Sequence, residues 1–122
     1  MDINQSPLKQ IYSPQGIERI QKSHFLVVGI GGVGSWISEA LIRSGALNVT
    51  LVDLDDICAS NINRQIHALE NNVGKLKVHE MKKRLLAINS KANINMYEDF
   101  FSEKTAENIL STPYDYVFDG ID

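Results

Sequence analysis

Phe25-Leu26-Val27-Val28-Gly29-Ile30-Gly31-Gly32-Val33-Gly34 is the stretch whose reading decides the fold. Its first half is a continuous apolar run, the pattern of a strand buried on both faces, and it predicts a strand over residues 25–29. The glycines that follow close the strand and open a helix. They permit positive φ and let backbone amides approach an anion, while the helix N-terminus adds partial positive charge. Val33, Trp36, Ile37, Ala40 and Leu41 recur at helical spacing and stop before Gly45, so this stripe is expected to pack on the sheet. Trp36 is read there as core rather than as a base-stacking platform.

Working outward, Val49-Thr50-Leu51-Val52-Asp53 reads as a second strand that carries an acid at its carboxyl end, where open parallel sheets place their ligands. Asp53 lies 19 residues beyond Gly34, a separation suited to hydrogen bonding a ribose. Val78, Met81, Leu85 and Ile88 mark a helix over about 75–87, followed by a strand at 93–97, a shorter helix at 103–110 and a strand at 114–118. Alternating strands and helices with right-handed crossovers predict an α/β, Rossmann-like, doubly wound and mainly parallel sheet. Toward the N-terminus, residues 1–13 read as a polar arm punctuated by Pro7 and Pro14, and 15–21 as a short helix. The expected organisation is an arm over 1–13 and a nucleotide-binding domain over 14–122. Such a sheet normally continues past the position of Asp122, so the domain is expected to be truncated at its C-terminal end and incomplete for catalysis.

Composition narrows the class. A chain of 122 residues with 43% hydrophobic and 22% charged residues can bury one ordinary core. A net charge of −3 gives no support for a nucleic-acid-binding surface on this segment. Cys58 is the single cysteine, which excludes an internal disulfide and a multi-cysteine zinc site within the segment. The first residues lack a signal-peptide pattern and no run approaches the roughly 20 apolar residues of a membrane span, so a cytoplasmic protein without membrane contact is expected.

The glycine turn and Asp53 fit NAD, FAD, S-adenosylmethionine or ATP. Gly32 and the loop after the second strand favour ATP. That loop brings Asn61, Arg64 and, past Val73-Gly74, Lys77 toward the nucleotide end of the sheet. A dehydrogenase has no need of them, whereas transfer of an adenylyl group requires a carboxylate held beside the α-phosphate and the charge of the triphosphate neutralised. Arg64 and Lys77 suit that task, and the acids Asp55 and Asp122 suit a magnesium ion. Cys58 has no evident base beside it and is read as a small packed side chain rather than a nucleophile. His24, His67 and His79 are too scattered for a metal set and are read as solvent-facing. The Lys77, Lys82, Lys83 and Arg84 helix is read as a solvated face rather than an RNA contact.

Taken together, the GxGGxG turn, Asp53-x-Asp55, Ser60-Asn61-x-x-Arg64-Gln65, Val73-Gly74-x-x-Lys77 and Asp119-x-x-Asp122 resemble the HesA/MoeB/ThiF superfamily, relatives of ubiquitin-activating enzymes, from about residue 16 onward. Within it, the segments Gly29–Trp36, Asp53–Cys58, Asn63–Leu69 and Asn71-Asn72-Val73-Gly74 are most similar to the tRNA threonylcarbamoyladenosine dehydratase branch. The resemblance implies that Gly29, Gly31, Gly32 and Gly34 line the ATP phosphates and that Asp53, with Asp55 nearby, holds the ribose. Ser60, Asn61, Arg64 and Lys77 would surround the phosphates, and Asp122 would stand at Mg2+. It further implies ATP-dependent adenylation of a carboxylate on tRNA that ends in cyclisation, and a homodimer. Many members reach the partner's ATP with an arginine from the N-terminal arm; Leu8-Lys9-Gln10-Ile11-Tyr12 offers only Lys9 there. Two other functions share the glycine turn: activation of a ubiquitin-like sulfur-carrier protein for molybdopterin or thiamine synthesis, and NAD-dependent oxidoreduction. A nucleotide-sensing module without catalysis is the non-enzymatic alternative.

Overall fold

The computed structural model describes residues 7–122, so the first half of the arm lies outside the described residues. The rest of the arm forms a helical turn, α1 (Leu8–Ile11). Ser13 then caps α2 (Pro14–Lys22), its Oγ accepting the Gly16 N–H at 3.0 Å with Pro14 at the first helical position, where its missing N–H costs nothing.

Strands β1 (His24–Val28), β2 (Asn48–Val52), β3 (Asn93–Tyr97) and β4 (Tyr116–Asp119) form one parallel sheet in the order β3-β2-β1-β4. Helix α3 (Gly34–Arg43) joins β1 to β2, α4 (Lys77–Ile88) joins β2 to β3, and α5 (Glu103–Ile109) precedes β4. The α/β parallel-sheet expectation holds. The strands alternate their side chains between two apolar layers. Phe25, Val27, Val49, Leu51 and Ile94 face Ile42, Val78, Met81 and Leu85 of α3 and α4, while Leu26, Val28 and Val52 face Ile109 of α5. Residues 25–28 of β1 are therefore apolar without a break, and in β2 only the buried Thr50 interrupts residues 49–52. The chain grows from β1 out to β3 and then returns to pair β4 with β1, which opens a crevice beyond the carboxyl ends of those strands.

Helix α3 departs from the predicted stripe. Its buried positions are Gly34, Ser35, Ser38, Glu39 and Ile42, whereas Val33 and Trp36 are more than half exposed. The cause is close packing. A small-residue face lets the helix start lie against the turn, Ser38 Oγ donates to the Gly34 carbonyl, and the buried Glu39 is held by Arg84 of α4 at 2.7 Å and by Arg43 at 3.5 Å. The predicted stripe is thus split: Ile37 and Leu41 pack against the core, while Val33, Trp36 and Ala40 are exposed, and Trp36 is not core. Among the described residues, no helix is long and apolar enough to cross a membrane.

Candidate nucleotide site

The site starts from the end of β1. Gly29 leaves the strand at φ +86°, a conformation that disfavours any side chain, and its N–H donates to the Val52 carbonyl at 2.8 Å. Ile30 is wholly buried, and its N–H donates to Asp53 Oδ2 at 2.7 Å. Asp53 Oδ1 accepts the Asp55 N–H at 2.8 Å, so one buried carboxylate fixes both the glycine turn and the start of the loop after β2. A Cβ on Gly34 would stand 1.6 Å from the Gly29 carbonyl oxygen, and one on Gly120 would stand 2.8 Å from the same atom. Three backbones therefore meet where β1, α3 and the end of β4 converge, which is how the segment carrying Asp122 comes beside the turn.

Lys77 reaches the same place by a different route. Residues 55–57 run antiparallel to 74–77: Ile57 N–H donates to the Lys75 carbonyl, Gly74 N–H to the Ile57 carbonyl, and Lys77 N–H to the Asp55 carbonyl at 3.1 Å. The first residue of α4 is thus pinned to the loop after β2, and its side chain is largely buried. Between these elements lies a cleft of about 370 Å³ lined by Gly29, Gly31, Asp53, Asp55, Lys77 and Asp122, together with Gln65 and the Asp99–Phe101 segment after β3. That volume falls within the range of small-molecule sites.

The remaining sequence candidates lie at its margin. Arg64 runs alongside Gly32, where an added Cβ would meet its Cδ at 3.7 Å, and its guanidinium donates to the Ser60 carbonyl and to Asn63 Oδ1 at 3.0 Å. Ser60 is exposed and meets Arg64 through its backbone. Asn61 is buried, and its Oδ1 accepts the Cys58 N–H at 2.8 Å, so it braces the loop. Gly34 is buried beneath the turn and serves the close approach of α3. The structure therefore gathers Gly29, Gly31, Asp53, Asp55, Lys77 and Asp122 in the cleft, sets Gly32 and Arg64 at its rim, and gives Asn61 and Gly34 a bracing part.

Three readings need correction. Cys58 is exposed rather than packed, because the loop turns outward around the Asn61 bracket. His67 is 2% exposed, and its Nε2 lies 2.7 Å from the Ile30 carbonyl. Burial holds its pKa below the ordinary histidine value, with the Lys77 charge acting in the same direction. His24 is partly buried against Thr50 Oγ1 at 2.7 Å, its pKa also lowered by burial, while His79 is exposed and pairs with Glu98. Sequence reasoning also passed over Gln65, whose buried Oε1 has no hydrogen-bond partner among the described residues, and the Asp99-Phe100-Phe101 segment. The latter was findable, since it follows the carboxyl end of a parallel strand.

The chain belongs to the ThiF family, whose pattern matches residues 4–122. It is 46% identical over 113 residues to the tRNA threonylcarbamoyladenosine dehydratase of Haemophilus influenzae, covering 93% of this chain and 43% of that protein. It is 34% identical to the sulfur carrier protein adenylyltransferase of Thermus thermophilus, covering 89% of this chain and 40% of that protein. The crystal structure of the E. coli tRNA N6-threonylcarbamoyladenosine dehydratase in complex with ATP superposes with a TM-score of 0.92 at 42% identity, covering 94% of this chain and 47% of that one. The chain thus spans less than half the length of these relatives.

Proposed function

We propose that the cleft binds ATP and that the protein to which this chain belongs adenylates a carboxylate, with threonylcarbamoyladenosine on tRNA as its substrate. The convergence of the glycine turn, Asp53 and Lys77 in one cleft carries the reading, and the 46% identity to a tRNA threonylcarbamoyladenosine dehydratase supports this substrate over a carrier protein. In this scheme the α3 N-terminus and the amides around Gly31 and Gly32 face phosphate, and Asp53 reaches the ribose with a remaining lone pair. Lys77 from inside and Arg64 from the rim counter the negative charge that grows as the substrate carboxylate attacks the α-phosphorus and pyrophosphate leaves. Intramolecular attack on the resulting mixed anhydride closes the ring and releases AMP.

The cleft's own charge bears on magnesium. Asp53, Asp55, Asp99 and Asp122 line it against Lys77, an excess of carboxylate that would repel a triphosphate unless cations accompany it. Among the described residues, no three His, Cys, Asp or Glu side chains gather as a metal cage. That excess suits Mg2+, which is bound by one or two carboxylates plus phosphate oxygens; Asp122 would hold it and Asp55 stands by, and the ion would neutralise phosphate charge.

A homodimer is part of the proposal. Val33 and Trp36 stand exposed one turn apart at the start of α3, and Ile62 is exposed on the loop that Trp36 anchors by donating its indole N–H to the Arg64 carbonyl at 2.8 Å. An apolar patch beside the site fits a second copy.

The test is incubation of the full-length natural polypeptide with ATP-Mg and threonylcarbamoyladenosine-modified tRNA. Formation of AMP and a product lighter by one water is expected, with Arg64→Ala and Lys77→Ala each reducing it at least about a hundredfold. AMP release only with a ubiquitin-like carrier protein would instead select sulfur-carrier activation. NADH binding without ATP competition would overturn the ATP reading.

A further inference from the structure

Two buried side chains at the site, Gln65 and His67, have no part in the chemistry above, and His67 is the one bonded to the glycine turn. His67 lies under the glycine turn, and because the Ile30 carbonyl can only accept, the ring proton sits on Nε2, 2.7 Å away. Nδ1 is then a bare lone pair, buried and without a hydrogen-bond partner among the described residues. Ile30 is gripped at both ends, since Asp53 Oδ2 accepts its N–H at 2.7 Å. The two bonds fall on different peptide units: the N–H belongs to the unit linking residues 29 and 30, the carbonyl to the unit linking 30 and 31. The described peptides contain no cis bond, so the Gly31 N–H points opposite to the Ile30 carbonyl. A ring that holds the carbonyl therefore aims the Gly31 amide away from itself, and Gly31 lines the cleft.

We propose that His67 is a positioning residue of the nucleotide site: by donating Nε2–H to the Ile30 carbonyl it sets the plane of the following peptide and orients the Gly31 N–H toward the phosphates. The inference rests on the ATP reading above. His67 also ties the Arg64 loop to the turn, alongside the Trp36 indole on the Arg64 carbonyl, so the rim cation and the phosphate-facing amides keep one register. The Nε2 donor is present in either protonation state, and burial favours the neutral ring. Burial acts most strongly toward the neutral form and Lys77 acts with it, while the bond to the Ile30 carbonyl, Asp53 and Glu80 favour a second proton. A second proton would lodge on Nδ1, where no acceptor waits among the described residues.

The experiment titrates ATP-Mg into the full-length natural polypeptide as wild type, His67→Leu and His67→Gln. His67→Leu removes the donor while keeping an apolar filling, and His67→Gln can return an N–H to the carbonyl. We expect affinity to fall about tenfold or more for the leucine variant and to return to within about threefold of wild type for glutamine. Equal affinity for wild type and leucine variant would overturn the proposal, as would glutamine binding as poorly as leucine. A second arm needs no variant: nitrogen-correlated NMR of the wild-type histidines at neutral pH. The ring proton on Nε2 is required for His67, and a neutral ring carrying its proton on Nδ1 would overturn the proposal even if His67→Leu failed to fold. Wild type that binds no ATP would remove the nucleotide reading, and the NMR arm would still decide whether His67 holds the turn.

Discussion

Gly34→Ala isolates the packing on which the site depends. The added Cβ would stand 1.6 Å from the Gly29 carbonyl oxygen and 2.8 Å from its carbon, both backbone atoms that no rotamer change can move. To reach even the 3.0 Å that side chains essentially never breach, α3 and the turn must separate by about 1.4 Å. Gly120 adds to the constraint, because its Cα path passes the same carbonyl oxygen. Overpacking of this kind costs about 1–3 kcal/mol where side chains can yield, so against fixed backbone at least the upper end is expected. The displacement also carries Gly31 and the α3 N-terminus away from the cleft, so loss of ATP binding should accompany the loss of stability. Gly32→Ala is the control: its φ is not positive and its new methyl would first meet the flexible Arg64 side chain at 3.7 Å, so its stability cost should stay below about 1 kcal/mol. Urea unfolding of both variants and of wild type, with ATP titration of each, makes the comparison. Gly34→Ala with an unchanged midpoint, or Gly32→Ala destabilised as much as Gly34→Ala, would refute the reasoning.

Three more outcomes are expected. Burial depresses the pKa of His67 and of His24 in the folded chain, the unfolded chain takes up those protons first, and stability present above about pH 6.5 should therefore be lost as pH falls through that value; the slope should be shallower in His67→Gln by up to one proton, measured by urea midpoints across pH. Arg84→Met leaves the buried Glu39 carboxylate with only Arg43 at 3.5 Å and should cost about 1–3 kcal/mol, while the double variant with Glu39→Met should recover most of it in thermal unfolding. Asn61→Ala removes the acceptor of the Cys58 N–H, and should cost about 1 kcal/mol and raise the labelling rate of the exposed Cys58 thiol.

The sequence by itself determined the strand and helix order, because the unbroken apolar run 25–28 and the β-branched, largely apolar run 49–52 read as strands buried on both faces. It also determined the glycine turn and the acid that serves it, since those signals are local: a strand end, a fixed spacing and a residue type. The ends of elements moved by a residue or two, as at β4, where the predicted 114–118 became Tyr116–Asp119. What only the tertiary structure decided was which side of an element meets which neighbour. On α3, the apolar stripe of Val33 and Trp36 lost the sheet to a face of glycine and serine, because backbone contact at Gly34 set the helix closer than large side chains allow. In the loop from Asp55 to Leu76 there is no period to read, so the burial of His67, the exposure of Cys58, and the division of Arg64, Asn61 and Lys77 among rim, brace and cleft arose from long-range hydrogen bonds between residues that one-dimensional spacing cannot connect.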